Sequence, residues 1–294
     1  MASILTNSSA LTALQTLSST NKALESTQNR ISTGLRIGEA SDNASYWSIA
    51  TSMKSDNKAN SAVQDALGLG AGKVDTAYSA INKIKDSVEE IKTKLVSAIG
   101  ASDDDKAKIE TEIKSIVSNI NSAISNANYA GSNLLDGSST DLEIVASYNR
   151  SGQAVTIDMI KVAGTDTNAS TMVTDIVAAG FFEATMDDDA IAGAADVTTG
   201  ARSGGLLDKV ETALADLVKG AATLGAAKSQ IDSQKSFLSG LQDSIEKGVG
   251  TLVDADMNKE SARLSALQVQ QQLGVQALSI ANSSNQNILS LFRG

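Results

Sequence analysis

Residues 63–98 read VQDALGLGAGKVDTAYSAINKIKDSVEEIKTKLVSA, and this stretch decides the fold. Steps of four and three from Val63 meet Leu67, Gly70, Val74, Ala77, Ile81, Ile84, Val88, Ile91, Leu95 and Ala98, every one apolar or glycine. A seam held that long is the pattern of one helix face pressed against other helices. At 1.5 Å per residue it predicts a helix of roughly 50 Å. Ser102 then offers an N-cap, and Asp103–Asp105 suit the positive end of a second helix. Its seam runs through Ile109, Ile113, Ile116, Ile120, Ala123 and Ala127, so the join at Gly100 and Ala101 is a tight antiparallel turn.

Working outward, a third seam runs through Leu207, Val210, Leu214, Leu217, Ala221, Leu224, Ile231, Leu238, Ile245, Val249 and Leu252, interrupted by Lys228, Lys235 and Gln242. Three matching seams predict a mainly α protein built on a helical bundle. Each buried leucine contributes about 1.5–3 kcal/mol, which outweighs the weak local preferences of the many Ser and Asn residues. Between the second and third seams the period changes to two at Leu142, Ile144 and Ala146, and again at Val155, Ile157 and Met159. With a turn at 149–152 this predicts a small β-hairpin. Residues 163–202 show no clear seam and read as a short surface excursion.

Composition narrows the function. The 294 residues contain no His, Cys or Pro. That excludes Ser-His-Asp triads, Cys-His dyads, HExxH zinc sites and disulfides, so neither an enzyme of those classes nor a cofactor is expected. The net charge of −10 argues against nucleic-acid binding. No run of about 18 apolar residues predicts a membrane span, and MASILTNSSALTALQTL lacks the basic start of a secretory signal. Gly68–Lys73 is one residue short of a phosphate loop and leads into Val74, so close helix packing is the better reading. The run Asp187–Asp189 lacks the alternating spacing of a calcium loop.

The chain ends differ in kind. Leu14, Leu17, Leu24, Ile31 and Leu35 share a seven-residue track with Asn21 and Gln28. Leu264, Leu267, Leu278, Ala281, Ile288 and Phe292 share another, with Gln271, Gly274 and Asn285. Amides inside an apolar seam cost stability and fix register and partner number. Narrow seams of this kind are marginal in isolation, which is the pattern of segments that fold on assembly. An intramolecular pair of the two ends is the plainer alternative.

Residues 31–51, ISTGLRIGEASDNASYWSIAT, resemble the flagellin signature in which a helix ends at a Ser/Thr-Gly-Leu-Arg-Ile turn before an Asp-rich spoke. The C-terminal run ARLSALQVQQQLGVQALSIANSSNQNILSLFR and the link NYAGSNLLDG at 128–137 resemble the same family. The resemblance implies an inner coiled-coil domain from 1–41 and 253–294, a helical rod domain with a β-hairpin from 42–162 and 203–252, and a small variable outer region at 163–202. It implies an extracellular filament subunit exported by the flagellar type III route. Its partners would be further copies or sister flagellins, an export chaperone at the C-terminal helix, and hook-associated junction and cap proteins. Polymerisation contacts would fall on Leu14, Leu17, Leu24, Ile31, Leu35, Leu264, Leu267, Gln271, Leu278, Ile288 and Phe292. Gly34, Leu35, Arg36, Gly38 and Trp47 would form the spoke, and Tyr46-Trp47 is similar to flagellins of rigid complex filaments. A hook–filament junction protein and a fibre-displayed adhesin are the alternatives. Where immune-sensed flagellins carry Leu-Gln-Arg-Val-Arg-Glu-Leu, this chain has VEEIKTKL; Glu89 and Glu90 reverse the charge that the innate receptor meets.

Overall fold

The structure, a computed structural model, describes residues 7–138, 141–152, 154–177, 186, 188–195 and 202–291. In chain order its main elements are α1 (Ser8–Thr33), α2 (Ala44–Ala98), α3 (Asp103–Asn126), β1 (Asn128–Tyr129), β2 (Ser132–Asn133), β3 (Leu142–Ser151) and β4 (Ala154–Val162). Short helices α4 (Gly164–Thr167), α5 (Ala169–Met172), α6 (Thr174–Val177) and α7 (Asp188–Ala192) follow, then α8 (Leu206–Val253) and α9 (Met257–Leu291). The chain divides into two compact units, Met1–Asn57 with Asp243–Gly294, and Lys58–Gln242. The inner and rod domains that the resemblance implies have their boundaries at 41/42 and 252/253.

The second unit is built on the seam from Val63 to Ala98. Val63, Leu67, Val74, Ala77, Ile81, Ile84, Val88, Ile91, Leu95 and Ala98 are all buried, and nothing breaks α2 over its 55 residues. The helix begins well before Val63 because nothing in 44–62 stops it. Gly100, with φ 77°, turns the chain, and the Ser102 side chain accepts a hydrogen bond from the Asp105 amide to start α3. Ile113, Ile116, Val117, Ile120 and Ile124 of α3 then join Val210, Leu217, Leu224, Ile231 and Leu238 of α8 in one core. The interruption at Lys228 is a surface ion pair, its Nζ 2.6 Å from Oδ1 of Asp75.

The glycines at 70 and 72 are packing devices rather than a phosphate loop. A Cβ on Gly70 would stand 2.6–2.8 Å from three carbons of Ile144, and one on Gly72 would stand 2.7–2.9 Å from the Tyr129 ring. Their absence lets the hairpins lie directly on α2.

In the β3–β4 hairpin Leu142 pairs with Val162 and Ile144 with Ile160, and all four are buried. Along β4 the covered side is that of Ile160 and Val162, so Val155, Ile157 and Met159, one residue out of step with them, face solvent, while a bulge between Val145 and Ser147 shifts the phase of β3 alone. The turn lies at Gly152, with φ 65°, at the end of the 149–152 span read from sequence, because Asn149 and Arg150 still pair with Thr156 and Val155.

The described part of 163–202 corrects the expectation of a seamless surface excursion. Ala169, Val173, Ile176 and Ile191 are buried in the main core, and Thr167 is buried with its hydroxyl donating to the Leu134 carbonyl. Gly220 of α8 makes room for this segment, since a Cβ there would meet Met172 and the Asp166 carbonyl. Ala169, Val173 and Ile176 do form a seam, but one under three turns long, too short to stand out by period. The acidic run at 187–189 falls on side chains outside those described.

Candidate assembly interface

The first unit brings the two chain ends together. α1 starts at Asn7, whose Oδ1 accepts from the Ala10 amide and whose Nδ2 donates to the Ala281 carbonyl at 3.0 Å. Further along, Gly274 lies against Leu17, Gln271 Nε2 donates to Asn21 Oδ1 at 2.9 Å, and Arg30 Nη1 meets Glu260 Oε1 at 3.4 Å. As residue numbers rise in α1 they fall in α9, so the pair is antiparallel.

The stripe of α1 turned to α9 is Ala13, Leu17, Thr20, Leu24, Thr27 and Ile31. Thr20 and Thr27 are its most buried members, and Thr20 returns its hydroxyl proton to the Thr16 carbonyl at 2.9 Å. Leu17, Leu24 and Ile31 therefore lie where the sequence track places them, half-buried. Leu14 does not: it is 56% exposed, one side of the stripe. Asn21 and Gln28, read as buried amides, are exposed. A strict seven-residue track drifts by about 20° per heptad on a straight helix, so the contact stripe shifts to the adjoining threonines.

On α9, Leu267 is buried to 8% exposure, and Leu264, Gln271, Gly274, Leu278 and Ala281 are half-buried on the same side. Ile288 lies in α9 with a side chain outside those described, and Phe292 lies outside the described residues. A second seam escaped the sequence reading. Ala262, Ala266, Val269, Leu273, Ala277 and Ile280 follow steps of four, three, four, four and three on the opposite face, and all are exposed. Residues 264–292 contain no charged side chain at all. That uncharged run was the available signal. A helix apolar on two faces and charged on neither is suited to burial on both.

Between α1 and α2 the turn is tied to the chain's other end. Gly34 closes α1 in the left-handed region, with φ 71°, and its carbonyl accepts from the Ala255 amide at 2.8 Å. Leu35 bridges Asp254, the Arg36 amide donates to the Val253 carbonyl at 2.6 Å, and Arg36 Nη2 donates to the Leu252 carbonyl at 2.9 Å. Leu35 packs beside a small core of Ile37, Ala50, Val249 and Val253. The Gly38 amide, with that of Glu39, donates to Asp42 Oδ2. Those two backbone donors hold the Asp42 carboxyl below its ordinary value. Asn43 caps α2 by accepting from the Tyr46 amide, and Tyr46, Trp47 and Ile49 stand exposed on the first turns that follow.

The comparisons with known proteins agree on what this arrangement is. The bacterial flagellin N-terminal helical region matches residues 4–140, and the bacterial flagellin C-terminal helical region matches residues 207–292. The chain belongs to the flagellin family. It is 82% identical to a flagellin of Brucella melitensis biotype 1 over the full length of both chains. It is 47% identical to flagellin C of Rhizobium meliloti strain 1021, again over all of both chains. A flagellin of Bartonella bacilliformis is 37% identical over 94% of this chain and 96% of its own. This flagellin is therefore a structural subunit that polymerises into the bacterial flagellar filament, the extracellular fibre of swimming motility, and not an enzyme. The junction-protein and adhesin readings are not favoured. No helix among the described residues is long and apolar enough to cross a membrane.

Proposed function

We propose that the paired ends of this flagellin are the principal contact through which copies polymerise. α1 and α9 seal one seam within the chain and offer the other to neighbours. In this reading Leu17, Leu24, Ile31, Leu264, Leu267, Gln271 and Leu278 hold the pair together, while exposed Leu14 and the outer seam of α9 meet further copies. Ile288 and Phe292 take part in the same proposed polymerisation contact. Leu35 belongs with the turn rather than the contact. The inner domain of 1–41 and 253–294, the rod of 42–162 and 203–252, and the outer segment of 163–202 form the proposed layers of the fibre. Gly34, Leu35, Arg36, Gly38 and Trp47 form the spoke.

The observation that carries the proposal is the bare apolar face of α9, from Ala262 to Ile280, on a helix already paired through its other face. Exposed apolar surface of this extent marks a site of association. The uncharged C-terminal helix also suits an export chaperone, which would cover it before assembly. Hook-associated junction and cap proteins would meet the same inner surface at the two ends of the fibre, after export in an unfolded state by the type III route. Glu89 and Glu90 are exposed, with Glu89 Oε1 3.3 Å from Lys85 Nζ, a surface poorly matched to a receptor built for arginine.

The direct test is removal of the last ten residues, alongside Leu267→Asp. Both variants should keep the helical content of the second unit and form no fibre on seeding. Normal fibres from either would reject the proposal.

A further inference from the structure

Arg30 holds α9 to α1 by an incomplete bond. Its Nη1 stands 3.4 Å from Glu260 Oε1, longer than the roughly 2.7–2.9 Å of a strong charge-assisted hydrogen bond. The second carboxylate oxygen, Oε2, is buried without a hydrogen-bond partner, and Glu260 as a whole is only 9% exposed. A buried acceptor left unsatisfied costs free energy, so such a group calls for a physical reason. A guanidinium is able to serve both oxygens of a carboxylate at once, and this one serves one of them at long range.

On its other side Arg30 lines a pocket of about 510 Å³ between the second half of α1 and the turn that follows. The charged groups around that pocket are Lys22 and Arg30 against Glu25, Glu39 and Asp42, an excess of one negative charge. Asp42 lies at its far edge, exposed, with Oδ2 accepting from the Gly38 and Glu39 amides. After those two amides, the positive charge of Arg30 also contributes to lowering the Asp42 carboxyl.

Two carboxylates on different elements therefore compete for one guanidinium, and neither depends on it outright. Glu260 lies in the first turn of α9, where the helix dipole favours an acid. Asp42 has its two backbone donors. A buried carboxylate that loses its cation needs water instead, so the first turn of α9 must lift when Arg30 departs.

We propose that Arg30 is a two-position latch: on Glu260 it fastens the first turn of α9 to α1, and swung into the pocket onto Asp42 it releases α9 and braces the turn at 35–42. The latch lies within one chain and stands whether or not the paired ends carry the contact between copies. Coupling of this kind is reciprocal, so whatever draws Arg30 to one acid loosens the other. The pairing of the chain ends is thereby tied to the turn that leads into α2.

Hydrogen exchange read by mass spectrometry on seeded filaments of the full chain tests the latch. Asp42→Asn keeps an acceptor for the two amides and gives up the charge, so Arg30 should stay on Glu260 and the amides of 261–264 should exchange about two- to fivefold more slowly. Glu260→Gln should slow the Gly38 and Glu39 amides by a similar factor. Both effects should vanish when Arg30→Gln is added. A fixed Arg30–Glu260 pair predicts no response of α9 to Asp42→Asn. Unchanged or faster exchange at either site, or slowing that persists without Arg30, would overturn the proposal. If one variant is excluded from the fibre, its reciprocal partner decides. Exclusion of both would also overturn it, because a latch with two positions survives the loss of either acid. Failure of the native chain to form filaments would count against the filament reading instead, and the same exchange would then be read on the soluble chain.

Discussion

Gln271 Nε2 donates to Asn21 Oδ1 at 2.9 Å, linking residues 250 positions apart in the sequence. This bond, with Arg30–Glu260 on one side and Leu17–Gly274 on the other, fixes how far α9 slides along α1. Leucines alone would hold the pair in several registers, since one apolar turn resembles the next. Polar partners that fit only one alignment remove that freedom.

Leu267 is the most buried leucine of this pair, so its truncation should be felt there. Leu267→Ala should weaken the pairing of α1 with α9 by about 2–3 kcal/mol. The expected result is an earlier thermal loss of helicity from the terminal helices, with the melting of the second unit unchanged by circular dichroism.

Two glycines two residues apart in α2 should respond with opposite sign. Gly68→Ala meets nothing within 4 Å and should stabilise by up to about 1 kcal/mol through helix propensity. Gly70→Ala gains the same propensity but drives a Cβ into Ile144, and overpacking of this kind costs about 1–3 kcal/mol. Chemical denaturation of the two variants should place them on opposite sides of the native chain, or leave Gly70→Ala at best level with it.

Ala130 adopts φ 50° in the turn between β1 and β2, the only non-glycine residue at positive φ among those described. Asparagine tolerates this region better, so Ala130→Asn should stabilise by on the order of 0.5 kcal/mol. A denaturation midpoint at or below that of the native chain would contradict the strain.

The Asp42 carboxyl is held below its ordinary value of 3.8 by the amides of Gly38 and Glu39. A carboxyl lowered by folding contributes stability above its unfolded value and loses it as the pH falls through the folded one. The turn at 34–43 should therefore keep its protection to about pH 4 and lose it below. Amide exchange at Gly38 and Glu39 measures this, and Asp42→Asn, which retains an acceptor without the charge, should flatten the dependence.

Long seams were legible in the sequence because many residues repeat one instruction. Each position from Val63 to Ala98 agreed with its neighbours, and the helix followed. Shorter signals were lost in the same chain. Ala169, Val173 and Ile176 form a seam of under three turns, and β4 carries apolar residues on both sides, so alternation alone does not reveal that Ile160 and Val162 mark the covered one. At the ends, Leu17, Leu24 and Ile31 were found by their spacing, yet the flanking Thr20 and Thr27 were passed over because they are polar. The outer seam of α9 was present as Ala262, Ala266, Val269, Leu273, Ala277 and Ile280. Half of its residues are alanine, a weaker apolar signal than the leucines of the other track.

The central claim is that the paired ends keep an apolar surface free for other copies, and Leu14 separates this from simple pairing. Leu14 is exposed beside the α1–α9 stripe, so Leu14→Asp should leave monomer helicity and melting unchanged. Its critical concentration for seeded polymerisation should rise at least tenfold. A critical concentration equal to that of the native chain would contradict the account.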